Sequence, residues 1–371
     1  MEIQAVIDRF QQRKEEKEAR LLDFLQGGAT KYIVIQRPPA DLWGVCNSIE
    51  MIYRNNMAYL EQVLGLDWTD ELPYLEPWIG TGVYANAFGC EYYWREDNAP
   101  DIHYRYHKIE EVQGIDYPDY RKSPVMNMVL DCIDVMKERT LGKLPICLTD
   151  TQSPFDTATL ILDAVEFFTA CYTHEEIAHG FMDLITRMII EFSQVQANQI
   201  GHELLAKPGH IMPSSVSFRG ISISDDNLAV SSPLINERIA LPYNQKIADA
   251  FDGVAVHSCG RWAHTMLKLR GLKNVIMVDC ALQTDPDPTP HAPEEVRQAM
   301  KGSTMITKVR VGSDAVLFKP VLERVFDPSL RLVVHLDFSA ERARENYQVV
   351  TDMLARLYDG SYPPGFSAAP G

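Results

Sequence analysis

Apolar residues recur at helical spacing at the start of the chain: Ile3, Val6, Ile7 and Phe10, then Leu21, Leu22 and Leu25. The run stops at Gly27-Gly28, which predicts an amphipathic helix over about residues 2–26 whose polar centre, Gln11 to Arg20, is a solvated face. Lys31 to Ile35 is a short β-branched run closed by Gln36-Arg37-Pro38-Pro39. Residues 65–125 are rich in Trp, Tyr, Pro and acids without a lasting period, and read as long loops with small elements. From about residue 144 the pattern becomes regular. Short apolar runs (Leu144–Leu148, Val216–Ile223, Gly253–Val256, Val275–Val278, Met305–Val309 and Leu332–Val334) alternate with helical periodicities, the signature of βα units around a parallel sheet. Thr173-His174-Glu175-Glu176 reads as a capping box opening a helix with Ile177, Phe181, Leu184, Ile185, Met188 and Phe192 on one face. Ser232-Pro233 reads as a cap followed by a first-turn proline, and Ser339 as the start of a last helix closing at Gly360.

Five of the runs lead directly into polar residues: Thr149-Asp150, Ser224-Asp225-Asp226, His257-Ser258-Cys259, Asp279-Cys280 and His335-Leu336-Asp337. In a (β/α)8 barrel the carboxyl ends of all strands surround one mouth, where active sites are built. Five such endings favour a barrel mouth over the alternative in which polar residues simply begin loops, and the expected fold is α/β, a (β/α)8 TIM-type barrel with an N-terminal helical and loop extension. No repeat of 20–50 residues and no Gly/Ser linker divides the chain. We expect one barrel domain over 1–371, with about 1–130 as extension plus first barrel elements and about 140–360 as the regular part.

The 371 residues include 35 basic and 51 acidic side chains, a net charge of −16, with 46% hydrophobic content. This composition excludes a wholly disordered chain and a coiled-coil rod. The acidic balance argues against nucleic acid as partner, since phosphate neutralisation needs clustered Lys and Arg. No stretch reaches the ~18–20 apolar residues that span a bilayer, and the charged N-terminus lacks a secretory apolar segment, so no membrane association is expected. Seven scattered cysteines suit reduced thiols in the cytoplasm better than a disulfide framework.

The sharpest chemistry is His257-Ser258-Cys259-Gly260. Residues i and i+2 at a strand end project to the same side, so His257 and Cys259 can chelate one ion, and imidazole with thiolate suits zinc. The alternative is a buried Cys beside a hydrogen-bonded His. Further candidate ligands at neighbouring strand ends are Asp279, Cys280, His335 and Asp337. Asp225-Asp226 is either a functional acid pair or a turn. His174 and His179 are five apart, not the i, i+4 pair of a zinc-protease helix, and His103/His107 sit among Tyr104 and Tyr106 in a loop-like region. Gly80-Thr81-Gly82-Val83-Tyr84-Ala85 matches a dinucleotide fingerprint only superficially, because no strand precedes it.

Taken in order, Gly220 to Asp226, Ser231-Ser232-Pro233, Leu241-Pro242-Tyr243, Val256 to Gly260 and Val278-Asp279 resemble the uroporphyrinogen decarboxylase superfamily, which also contains cobamide-dependent methyltransferases. Gln152 to Thr157 and Arg344-Glu345-Asn346 look like further landmarks, and the likeness covers residues 140–355 well and the first 130 loosely. True uroporphyrinogen decarboxylases carry an Arg- and Gly-rich substrate segment after the first strand. Here that region reads Ile35-Gln36-Arg37-Pro38-Pro39, too few cations for a tetrapyrrole with eight carboxylates.

The methyltransferase branch is the closer match, since it uses a His-x-Cys pair at this strand end. The resemblance implies zinc held by His257 and Cys259, with Asp279, Cys280 or Asp337 completing the shell, because the branch's further Cys before the last helix is replaced here by His335-Leu336-Asp337-Phe338. It also implies methyl transfer between a corrinoid (cobalamin), presented by a partner corrinoid protein, and a small thiol or other acceptor. Asp150, Asp225, Asp226 and Arg37 are the candidate catalytic residues for orientation or proton transfer. The competing expectations are a metal-free decarboxylase or lyase of the same fold, using Arg37 and Asp side chains, and a non-catalytic corrinoid- or tetrapyrrole-binding barrel. Oligomeric state is not legible.

Overall fold

The computed structural model describes residues 2–38 and 42–362; Pro39, the end of the turn expected after the first strand, lies outside them. The strands are β1 (Tyr32–Gln36), β2 (Glu91–Tyr93), β3 (Asp101–His103), β4 (Ile221–Ser224), β5 (Val254–His257), β6 (Val275–Ala281), β7 (Ile306–Val311) and β8 (Arg331–Leu336). Six of them form one parallel sheet in the order β1-β8-β7-β6-β5-β4, while β2 and β3 make a separate antiparallel hairpin. Helices connect successive parallel strands, as expected of βα units.

Two staves of the expected barrel are irregular. Next to β1, the Asp70 N–H donates to the Val34 carbonyl (3.0 Å), the Asp70 carboxylate accepts from the Val34 N–H (3.0 Å), and the Thr69 hydroxyl accepts from the Gln36 N–H (3.1 Å). Isolated parallel bridges then join Leu75 to Ile146 and Gln152 to Ser224 of β4. Segments 69–76 and 144–152 thus stand between the two sheet edges. The Leu144–Leu148 run is not a regular strand. Pro145 has no N–H to offer a ladder, and Ile146 is shared between Leu75 and Leu205.

Side-chain alternation along the strands sorts the barrel into layers. Ile33, Ala255, Met277, Ile306 and Val333 form a buried apolar cluster with Leu21, Phe24 and Leu25 from the first helix, Ile3–Leu25. Met212 joins this floor from a hairpin closed by the antiparallel Lys207–Ser215 bridge. Two residues further along the same strands stand His257, Asp279, Lys308 and His335. The intervening positions, including Val256, Val278, Cys280, Val309 and Val334, pack into the main cluster with the surrounding helices.

The first helix is also fixed by a buried cation. Arg13 donates to the carbonyls of Val63 (3.2 Å), Leu66 (2.6 Å), Thr69 (3.4 Å) and Glu71 (3.3 Å), capping the end of helix Ile49–Gly65. Helix Glu175–Ile200 does not open with the expected capping box. Thr173 ends the preceding helix, and His174 makes no side-chain cap bond. The last helix starts at Ala343 rather than Ser339 and ends at Gly360 in the left-handed conformation. Ser232 does cap, accepting from the Ile235 N–H at 3.3 Å. No helix of the described residues is long and apolar enough to cross a membrane.

Candidate metal centre

His257 ends β5, and Cys259 follows after one residue on the same side. The Cys259 Sγ lies 3.5 Å from His257 Nε2, and Asp226 Oδ1 lies 3.9 Å from that same nitrogen. The three donor atoms fall within 4.8 Å of one another, and no other group of three or more His, Cys, Asp or Glu does so among the described residues. Tetrahedral zinc with ~2.0–2.3 Å bonds places its donors roughly 3.3–3.6 Å apart, so this set fits with small adjustments. Asp226 is brought in by the backbone, its carboxylate accepting from the Cys259 N–H at 2.6 Å. Gly260, at φ +72°, then turns the chain away, and its N–H donates to Asp287 (2.8 Å).

The imidazole is held from behind. His257 Nδ1 donates to Asp279 Oδ2 at 2.6 Å, which leaves the Nε2 lone pair facing Cys259 and Asp226. Asp279 is fully buried on the next strand, where Lys308 pairs with its Oδ1 and Arg310 Nε lies 3.2 Å from its Oδ2. Burial opposes its charge, but Lys308 and Arg310, then His257, hold it well below the usual carboxylate range. Lys308, itself fully buried, is pushed down to about 8 by desolvation, against the pull of Asp279.

The other expected ligand candidates lie outside this cluster. Asp279 supports His257 instead of joining the cluster. Cys280 is one residue out of phase and faces the helices, where burial pushes its thiol up. Asp337 is half-buried after β8 and raised by burial and then by Asp285; it takes no place among the three donors. His335 sits in the interior with its protonation suppressed by burial, Lys308 and Arg37.

The electrostatics favour a cation. Although Cys259 as a residue is exposed, desolvation of its thiol and then Asp226 push it up to about 12. Next to it, Asp225 is buried and raised to about 7, by burial first; Asn244 donates to its Oδ2 at 2.7 Å and its Oδ1 has no hydrogen-bond partner. Asp156 is raised well above the ordinary range by burial, Asp225 and Asp226, although the N–H groups of Asp226 (2.7 Å) and Asn227 (2.8 Å) donate to it. A cation held by Asp226, His257 and Cys259 would offset the cost of ionising the Cys259 thiol.

Residues 80–205, about a third of the chain, match the family model for uroporphyrinogen decarboxylase (URO-D). Among solved structures, the chain is similar to a methyltransferase from Methanosarcina mazei, with a TM-score of 0.58 and 15% identity over 93% of this chain and 98% of that one. No curated protein matches the sequence.

The family-matched segment carries Asp150 and Asp156 but stops before the cluster. Asp150 is buried at the end of the irregular stave, accepting from Ser224 Oγ and Gln152 Nε2, both at 2.9 Å. Ser224 is the register partner of His257, so Asp150 stands one strand away from the cluster. Opposite Asp150 is a residue the sequence did not single out. His210 Nε2 lies 3.5 Å from Asp150 Oδ1, and its Nδ1 lies 2.6 Å from buried Glu76, which also accepts from Trp43 Nε1 (3.1 Å). Desolvation opposes the imidazolium, but Asp150 and Glu76 raise it to about 9.

Arg37 is not free to meet a substrate. Its Nε and Nη2 hold Glu71 Oε1 at 2.8 and 2.7 Å in a buried pair, so its charge is already compensated. His210, Glu76, Glu71, Lys308 and Arg310 were all missed, because no local motif surrounds them. The one available signal was parity: Lys308 and Arg310 occupy alternate positions of the apolar run Met305–Val311, which predicts an inward-facing cation.

Proposed function

We propose that this chain is a member of the uroporphyrinogen decarboxylase superfamily and a zinc-dependent methyltransferase that moves a methyl group between a corrinoid, presented by a partner protein, and a thiol or other small acceptor. The observation that carries this reading is the Asp226–His257–Cys259 cluster at the strand ends, with one imidazole nitrogen oriented by a buried carboxylate. The family match and the shared fold support a methyltransferase of this superfamily; metal, corrinoid and acceptor are our own reading. His257 and Cys259 would hold zinc with Asp226 as third donor, leaving a fourth position for substrate. When bound, zinc supplies Lewis acidity that keeps a coordinated thiol deprotonated.

The rest falls to the chain's own residues. Asp279 fixes the His257 tautomer. Asp225 and Asp156, with raised proton affinities, can hold a proton beside the cluster near neutral pH. Asp150 and His210 offer a second proton-carrying pair one strand away. The committed Arg37–Glu71 pair weighs against a metal-free decarboxylase that relies on Arg37 to steady a carbanion.

The test is metal content and transfer together. Zinc-supplemented wild-type protein is expected to hold close to one zinc per chain, and His257→Ala and Cys259→Ser to hold little. Methyl transfer from methylcobalamin to a panel of small thiols, followed by the cobalamin absorbance change, should fall with zinc occupancy. Protein that binds less than about 0.2 zinc and loses nothing on His257→Ala would refute the metal assignment.

A further inference from the structure

The two arms of the cluster are each held by a carboxylate, and one guanidinium reaches both carboxylates. On the imidazole side, Asp279 Oδ2 accepts the His257 Nδ1–H at 2.6 Å, while Lys308 takes its Oδ1. On the thiol side, Asp287 Oδ2 accepts the N–H of Gly260, the residue after Cys259, at 2.8 Å. The N–H (2.9 Å) and hydroxyl (3.3 Å) of Thr289 donate to the other oxygen of Asp287. Arg310 serves both Oδ2 atoms: its Nε lies 3.2 Å from that of Asp279, and its Nη2 lies 3.8 Å from that of Asp287. Its Nη1 donates to the Pro286 carbonyl at 3.3 Å, and its own carbonyl accepts from the Leu282 N–H at 2.9 Å. Arg310 thereby fastens loop 282–292, which carries Asp287, to β7.

Both carboxylates are buried, and the charges close: Asp279 and Asp287 stand against Lys308 and Arg310. The guanidinium is therefore not surplus charge; what it adds is geometry. Without it, two buried acids would share one cation, and a compact ammonium holds one carboxylate where a planar fork holds two. The distance so fixed is the one between the donors. Cys259 Sγ lies 3.5 Å from His257 Nε2, already within the span that tetrahedral zinc asks of a sulfur and a nitrogen. A donor pair set at its working distance before the ion arrives loses no binding energy to assembling itself.

We propose that Arg310 is a positioning residue of the metal centre, a brace that links the carboxylate behind His257 to the carboxylate behind Cys259 and so sets the distance between the two donors. The inference rests on the metal assignment above and adds to it a residue that acts on the donors only through their supports. Asp287 belongs to the same brace, and loop 282–292 is thereby part of the site.

The probe is cobalt(II), titrated into metal-free wild type, R310M, R310K, D287N and the R310M/D287N double variant and followed by the visible spectrum of the ion. The melting temperature of each metal-free protein checks that it folds. R310M and D287N should each weaken cobalt binding by about ten- to a hundredfold, the scale of losing an outer partner of a metal-bound histidine. The double variant should be no more than about threefold weaker than the worse single one, because either change breaks the same brace. R310K keeps the charge but grips one carboxylate, and should recover less than about threefold over R310M. Single variants within about threefold of wild type, losses that multiply in the double variant, or full recovery in R310K overturn the proposal while leaving the metal assignment intact. If R310M does not fold, the nearly isosteric D287N carries the test alone against wild type, on the same limit. Wild-type protein that takes up neither cobalt nor zinc overturns both.

Discussion

His210 offers the sharpest test of the buried electrostatics. Its imidazole lies between Glu76 and Asp150, which raise it from 6.5 to about 9. A raised basic group adds stability that is fully present below its unfolded value and is lost as pH rises through the folded value. The difference of about 2.5 units corresponds to about 3 kcal/mol at roughly 1.4 kcal/mol per unit. His210→Gln removes the titration and keeps a hydrogen-bond donor for Glu76. Urea unfolding of both proteins should therefore show the variant about 3 kcal/mol less stable at pH 6. The gap should close steadily between about pH 6.5 and 9, leaving ~1 kcal/mol or less above that. Groups common to both proteins cancel in the difference. A gap constant from pH 6 to 10 would show that packing, not charge, holds His210 in place, and a gap that widened with pH would reverse the sign of the argument.

Other expectations follow from single sites. Asp225→Asn should stabilise the protein by up to about 4 kcal/mol at pH 8 and leave it nearly unchanged near pH 4, because a carboxyl raised to about 7 penalises folding only once the unfolded chain has ionised; thermal melts at the two pH values decide it. Arg13→Met should cost about 3 kcal/mol or more in denaturant unfolding, since four helix-end and loop carbonyls lose a charged donor together. Gly260→Ala should cost about 1–2 kcal/mol, because φ is +72° and a Cβ would stand 3.1 Å from Ala229 Cβ; a melting temperature unchanged within error would contradict the strained turn.

The sheet was readable because a buried parallel strand is an uninterrupted apolar run, and β5 to β8 all appear near their expected places. The His257–Cys259 pair was readable as a candidate because the two residues, the last of β5 and the second after it, project to the same side. Asp226 was in view, but as a proton-transfer candidate, since nothing local says that the Cys259 N–H draws its carboxylate to the cluster. Asp279 and Cys280 were treated as equivalent, although strand parity separates them: with His257 facing inward, its partner Asp279 must face inward too, and Cys280 outward. His210 and Glu76 lie 134 residues apart and meet only because a hairpin enters the barrel, which no window along the chain can register. The capping box failed for a related reason, since the preceding helix extended far enough to claim Thr173 for itself.

The interrupted staves have a mechanical consequence. From β4 round to β1 through β8, each strand is laced to its neighbour by a continuous ladder, whereas the arc from residue 69 to 152 is fastened by scattered bridges and side-chain clasps. The wall bearing His257 and its cations is thus the stiff half of the cylinder, and the arc bearing Glu76 and Asp150 is the compliant half. Local opening should begin on that side, and backbone amides there should exchange with deuterium well before those of β5 to β7.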